Sequence, residues 1–460
     1  MLMRHTTEKI VERKNLVVNP VKTCQPIGAM YAALGIHRCM PHSHGSQGCC
    51  AYHRSMLTRH YKEPVMATTS SFTEGASVFG GMGNLMDAIA NIFSLYDPDV
   101  IAVHTTCLSE TIGDDIPQIV KKAKDNGLIP RGKHVFHANT PSYVGTHITG
   151  YASMVKAMVD YFAVPSRKRS DQINLVPGFV DPPDMEELRR ISSSFGVAVV
   201  MFPDTSGVLN TGLTGAFKMF PRGGTRVSEL VTAGEAIATL GLGRFAAGPA
   251  ARALDAKCGV PCEVLDLPLG LAATDRFVMA LSRHTGVPVP EDIAEERARV
   301  VDLVADMHQY LYGKRVAVAG DPDHLFPLVE FLLDLEMDVR HIVTGMQSKK
   351  IERRMEELFR EKAPDKRPNF AAPGDLFLLH QWIKNDPVDL IIGNTHTKYI
   401  ARDENIPSVR VGFPILDRVG HQYFPIVGYR GAVRLLEMIL NAFLERVDAT
   451  VPEESFELVM

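Results

Sequence analysis

Three cysteines stand in surroundings that suit metal binding: Thr23-Cys24-Gln25-Pro26, His44-Gly45-Ser46-Gln47-Gly48-Cys49-Cys50 and Thr105-Thr106-Cys107. A thiolate is a soft ligand, fitted to iron–sulfur clusters, zinc or copper. Glycine, proline or hydroxyl residues flank each one. Such loops let the backbone approach a cluster closely and offer N–H donors to its sulfides. The separations, 25 and 58 residues, differ from the tight C-x-x-C pairs of zinc fingers and ferredoxins. On residue types alone two readings stay open, ligand or small buried hydrophobe, the latter being the usual fate of free cysteine. Cys39, Cys50, Cys258 and Cys262 fall under the second. His42 and His44 lie near Cys49, but their spacing lacks the second pair that a zinc site needs.

A second constellation is acidic. Asp302 and Asp306 are four apart, so on a helix they share one face. Like charges there repel by about 0.2–0.5 kcal/mol. A hard cation such as calcium would offset this, with Glu63 as a third carboxylate; a solvated helix face is the plainer reading. Neither H-E-x-x-H nor G-x-S-x-G occurs, and no G-x-x-x-x-G-K-[ST] loop is present, so any ATP used would be bound by another protein. Gly80, Gly81 and Gly83 are not in a dinucleotide-binding frame and read as a turn.

The elements that must position these residues alternate along the chain. Asp99–His104 reads as a buried strand between helical patterns at Asn84–Tyr96 and Asp115–Asp125. Further strands are expected at Ile173–Pro177, Val197–Phe202, Ala238–Leu242, Arg315–Ala319, Asp338–Val343 and Asp389–Ile392. This alternation predicts an α/β protein of three Rossmann-like domains with mostly parallel sheets. The polar stretch Pro165–Asp171 and the charged segment Glu291–Tyr312 suggest domains over 1–168, 169–312 and 313–460, with Gly431–Val447 as a C-terminal helix. In open α/β sheets ligands bind beyond the carboxyl ends of strands. Cys107, three residues past a strand, is in such a place.

At 460 residues the chain exceeds one core, and 45% hydrophobic with 22% charged residues is a globular balance. A net charge of -4 gives no electrostatic reason to expect nucleic acid or an anionic membrane. The start has no apolar signal region, and no apolar run reaches bilayer length. A cytoplasmic location is expected, and there an odd seven cysteines point to free thiols or ligands rather than disulfides.

Six segments together resemble one family. They are Cys24–Ala29, His44–Cys49, Thr105–Glu110, Ile112-Gly113-Asp114-Asp115, Thr140–Gly145 and Val411-Gly412-Phe413-Pro414. In order and spacing they resemble the beta chains of nitrogenase component 1, over about Asn19 to Val447. The short N-terminus and doubled Cys49-Cys50 look like the clostridial form of the molybdenum–iron type.

The resemblance implies that Cys24, Cys49 and Cys107 ligate an 8Fe-7S P-cluster shared with an alpha chain. It places on Ser142 a hydroxyl that binds iron in an oxidised state. An alkoxide is a harder donor than a thiolate and favours oxidised iron. It further implies a calcium or iron ion between two beta subunits, held by Glu63, Asp302, Asp306 and the carbonyl of Lys62. Phe79 matches an aromatic residue on the surface receiving the iron protein, and Tyr52 one between the metal clusters. His53 follows Tyr52 where some relatives have phenylalanine.

The implied assembly is an α2β2 heterotetramer. A homodimeric iron protein carrying ATP delivers electrons to it, and an iron–molybdenum cofactor in the alpha chain reduces dinitrogen. No catalytic residue is then expected on this chain. Beta chains of vanadium or iron-only nitrogenases, and the non-catalytic cofactor-assembly scaffold, are the neighbouring alternatives. Keeping Cys24, Cys107 and Ser142 together with Cys49 argues against the scaffold.

Overall fold

The computed structural model describes residues 5–10, 13, 17–19, 21–213, 215–216 and 218–458. They form two compact units. One comprises Thr23–Asp266 and Val278–Pro288; the other comprises Leu267–Phe277, Val289–Met460 and Met1–Lys22, as far as these are described.

The first unit contains two four-stranded sheets. Strands β1 (Cys39–His44), β2 (Thr68–Thr69), β3 (Val100–Thr105) and β4 (His134–Ala138) pair in the order β2-β1-β3-β4. Every ladder is parallel. Strand β3 is buried along its whole length, as a strand covered on both faces must be. On one face Met40, Ile101, Val103 and Val135 pack against Leu85, Ile89, Ile92, Ile116 and Ile119.

The helices of this sheet are α1 (Gln25–Leu34), α2 (Gln47–Tyr61), α3 (Glu74–Phe79), α4 (Met82–Tyr96), α5 (Cys107–Ile112), α6 (Ile116–Asp125) and α7 (His147–Phe162). The spacing of Leu85, Ile89, Ile92 and Phe93 gives α4 its single apolar stripe. Helix α6 starts where the Asp115 carboxylate accepts from Gln118 N, with proline in the first turn. Gly80 and Gly81 form the junction between α3 and α4, as a turn reading expects. Gly83 departs from that reading: it is the second residue of α4, on a surface with open space around it.

The second sheet has β5 (Gln172–Val176), β6 (Ala198–Met201), β7 (Ala238–Leu242) and β8 (Cys262–Leu265) in the order β6-β5-β7-β8, again parallel.

The other unit carries a five-stranded parallel sheet. It orders β9 (Arg315–Ala319), β10 (Asp338–Val343), β11 (Asn369–Ala371), β12 (Leu390–Gly393) and β13 (Ser408–Arg410) as β11-β10-β9-β12-β13. The segment before Thr23 is tied here. Val18 N donates to Asp375 Oδ2 at 2.8 Å, and Leu376 N donates to Asn19 O. The charged segment is a single helix, Glu291–Leu311, and the closing helix spans Gly428–Thr450. No helix among the described residues is long and apolar enough to cross a membrane.

Candidate functional site

Strands β1 and β3 lie side by side, with His44 opposite Thr105. The chain therefore leaves both strands at the same carboxyl edge. There Gly45 meets Thr106 so closely that an added Cβ would lie 2.1 Å from Thr106 Oγ1. Only glycine fits. Thr106 Oγ1 donates to His44 O at 3.1 Å. From this edge the chain turns into α2, which brings Cys49 into its first turn, and into α5, whose first residue is Cys107.

The β4 edge is joined to the same place. Thr140 N donates to Thr105 Oγ1 at 2.7 Å, and Thr140 Oγ1 donates to Thr105 O at 2.6 Å. Ser142 follows, opening a short 3-10 turn over Ser142–Val144. Gln25 Nε2 then donates to Pro141 O at 2.7 Å, which fastens the start of α1 and its N-cap Cys24. Helices α1 and α7 touch through their backbones. A Cβ on Gly28 would lie 1.8 Å from His147 O, and one on Gly150 1.9 Å from Gln25 O. Cys24, Cys49, Cys107 and Ser142 thus hang from one hydrogen-bonded frame at one end of one sheet.

All three cysteines stand at helix starts, where unpaired N–H groups and the positive end of the helix dipole favour anionic sulfur. None is in a disulfide. Cys24 and Cys49 are half-buried and Cys107 is exposed. The remaining cysteines differ. Cys39, Cys50 and Cys258 are buried. Burial raises the Cys39 thiol and pushes Cys50 up to about 11, the charge of Arg54 opposing and that of Cys49 adding. Cys262, expected to be buried, is half-exposed beside Asp255. The donor set of thiols outside disulfides, with helix-start N–H groups around them, suits an iron–sulfur cluster. Apolar surface accompanies it: Tyr52, Tyr143 and Val144 are exposed, and Phe79 is 90% exposed at the end of α3. Burial and the nearby charge of Cys24 both raise the Tyr52 hydroxyl.

Behind this edge His42 and His44 are committed to their own chain. His42 bonds Thr68 Oγ1 and Ser70 Oγ, while His44 bonds Ser70 Oγ at 2.8 Å and Asp114 Oδ2 at 3.0 Å. Burial lowers His42 to about 3, and it lowers His44 against the opposing pull of Asp114. Asp114 also receives Gly81 N. These partners leave no ring nitrogen of either histidine for zinc. Among the described residues no three His, Cys, Asp or Glu side chains are grouped to hold one metal ion.

Lys62 ends α2 in a left-handed conformation, φ 62. Glu63 is half-buried, and burial raises its carboxyl. Asp302 and Asp306 are both exposed on Glu291–Leu311, sharing the face their spacing requires. Sequence reasoning did not find Gln25, Thr105, Thr140 or the Ser70–Asp114 pair. Their roles are hydrogen bonds between distant segments, for which no local signal exists.

The family profile for nitrogenase component 1 type oxidoreductases matches residues 24–444. The nitrogenase molybdenum-iron protein beta chain of Clostridium pasteurianum is 53% identical over 99% of both chains. Its counterpart from Azotobacter vinelandii is 37% identical over 95% of this chain and 86% of that one. A chain of the solved structure titled "Nitrogenase Cp1 at pH 6.5" superposes with a TM-score of 0.97 at 53% identity, covering 98% of each chain. The chain belongs to the nitrogenase component 1 type oxidoreductase family.

Proposed function

We propose that this chain is the beta subunit of a molybdenum–iron nitrogenase component, and that Cys24, Cys49 and Cys107 hold half of an 8Fe-7S cluster shared with an alpha chain. The observation that supports the reading is the common frame. Three accessible thiols and the Ser142 hydroxyl are fastened to one another through Gln25, Pro141, Thr140, Thr105 and Thr106. A cluster of several irons takes ligands from separate loops, which accounts for the wide spacing in sequence.

When bound, such a cluster supplies one-electron storage between an ATP-carrying iron protein and the iron–molybdenum cofactor of the alpha chain. The residues of this chain do the rest. The three helix starts would hold the sulfur atoms and offer N–H groups to such a cluster. Ser142 would offer its hydroxyl oxygen as a harder donor to more oxidised iron, and would give up its proton on doing so. The exposed ring of Phe79 offers apolar surface to the iron protein, and Tyr52 fills space beside Cys24. Asp302 and Asp306, with Glu63 and the Lys62 carbonyl, take a calcium or iron ion between two beta subunits. The complex is an α2β2 heterotetramer working in the cytoplasm, and no dinitrogen binds to this chain.

Iron, molybdenum and vanadium in the complex purified with its alpha partner test the assignment. Iron with molybdenum is expected, and vanadium in its place would move the chain to the sister enzyme. Alanine at Cys24, Cys49 or Cys107 in turn should remove cluster iron; wild-type iron content and spectrum in all three would overturn the ligand set. Ser142→Ala should change the magnetic spectrum of the oxidised state only, and an unchanged spectrum refutes its role.

A further inference from the structure

Three buried polar side chains behind the cysteine edge have atoms without partners. Ser43 on β1 and His104 on β3 are opposite one another in the parallel ladder, so their side chains share one face of the sheet. The other face carries Met40, Ile101 and Val103 against α4 and α6. Ser43 and His104 therefore look towards the side on which α1 packs on β1 and β3. His53 is buried on α2, and its charge, like that of His42 on the other face, acts on His104. Ser43 and His104 are 0% exposed and His53 is 3% exposed. Among the described residues Ser43 Oγ, His53 Nδ1 and both ring nitrogens of His104 make no hydrogen bond.

Leaving a buried polar atom unpaired costs its full desolvation. Four together would weigh heavily on the small net stability of a folded domain. The side chains cannot settle this among themselves. Burial lowers His53 to about 4 and His104 well below its usual value, so both rings are neutral. Each then has one donor and one acceptor. A direct bond between the rings would still leave the second His104 nitrogen unmet. Water donates and accepts, and buried waters make about three hydrogen bonds to such groups.

We propose that Ser43, His53 and His104 enclose an internal hydration site, in which at least one ordered water bridges the two imidazoles and the serine hydroxyl and keeps the space behind Cys49 and Cys107 polar. His53 lies one helical turn from Cys49 on α2, and His104 lies three residues before Cys107. The second clause of the proposal rests on the reading of these cysteines as cluster ligands. A hydrated, polar backing stabilises the more negatively charged, reduced state of a buried cluster and raises its potential.

A high-resolution crystal structure of the complex with its alpha chain tests the site. It should show a water peak within about 3.2 Å of a His104 ring nitrogen and of Ser43 Oγ or His53 Nδ1. His53→Phe should remove that peak and move the cluster's midpoint potential to more negative values. His53→Gln, which keeps a polar end, should retain both the peak and the wild-type potential. Where His53→Phe fails to fold, Ser43→Ala takes its place and should weaken the peak. A dry pocket closed by a direct His53–His104 bond overturns the hydration site. An unchanged potential in His53→Phe overturns its effect on the cluster. Water in a complex that lacks cluster iron would instead refute the cluster reading and leave the hydration site standing, so the two failures are distinct.

Discussion

The sheet of β1–β4 and the sheet of β9–β13 share a parallel construction and differ in the chemistry of their carboxyl edges. At the β9–β13 edge the side chains satisfy one another. Arg410 bonds both carboxylate oxygens of Asp417, and Thr395 donates to Asp417 and accepts from Leu416 N. Asn394 caps the turn that follows β12. At the β1–β4 edge the side chains of Gln25, Thr105, Thr106 and Thr140 tie one loop to another, and Cys107 stands exposed beyond them. A parallel sheet offers the same edge in both cases. What makes one a site is whether its polar groups are spent on the fold.

The largest effect that would break this contrast is on metal content. Cys107→Ala should abolish cluster iron in the purified complex, whereas Cys258→Ala should leave iron unchanged and cost about 1 kcal/mol in a denaturant titration. Equal iron loss in both would show that the edge does not discriminate. Gly28→Ala comes next. A methyl would meet the His147 carbonyl at 1.8 Å, backbone against backbone, and overpacking of this kind costs about 3 kcal/mol. Thermal unfolding should show a clear loss, together with lower cluster iron because Cys24 is displaced.

At the closed edge Arg410→Met should cost about 2–3 kcal/mol and leave metal content intact. Burial tends to raise the Asp417 carboxyl, but hydrogen bonds from Arg410 and Thr395 and the charge of Arg410 hold it below its usual value. Removing the guanidinium leaves that charge with the more exposed Arg418 as its ionic partner.

Acid should separate the two sheets as well. In the β1–β4 sheet and α2, burial holds His42, His44, His53, His104, His134 and His137 below the usual histidine value. In the β9–β13 sheet only His341 is so placed among the described residues, lowered to about 4 by burial and the charges of Arg340 and Arg315. The unfolded chain binds each proton first, near pH 6.5. Stability is therefore complete above about pH 6.5 and is lost as the pH falls towards the folded values. Each histidine contributes a slope of about 1.4 kcal/mol per pH unit. Hydrogen exchange corrected for intrinsic rates should show β1 and β3 losing protection between pH 7 and pH 5 before β9 and β12 do. The reverse order would contradict the burial argument.

The smallest expected effect is Asp302→Asn. Without a bound cation it should stabilise the helix by about 0.2–0.5 kcal/mol by relieving repulsion. Destabilisation in the presence of calcium or iron would sharpen the case for an ion there.

Much of the fold was legible in the sequence because β3, β5, β7, β9 and β12 are largely apolar runs that must be buried on both faces. Strand β1 was not. Its residues Cys-Met-Pro-His-Ser-His are half polar and carry no period, and they tolerate burial through partners such as Ser70, Thr68 and Asp114. Those partners are supplied only by the folded chain. The thiols were visible as types, yet their spacing left them undecided until the resemblance was recognised. The frame holding them joins residues as far apart as Gln25 and Pro141, which no local pattern encodes.

That frame also sets an order of events in the cell. Cys24 emerges early in synthesis, but the carbonyl that fixes its neighbour Gln25 belongs to Pro141, and the helix that α1 rests on begins at His147. A nascent chain stopped at the end of α5 carries all three thiols but lacks both the Pro141 carbonyl and α7. On the proposed ligand set, metal loading would follow the docking of α1 on α7, and iron delivered earlier would meet the first cysteine before its helix start is fixed.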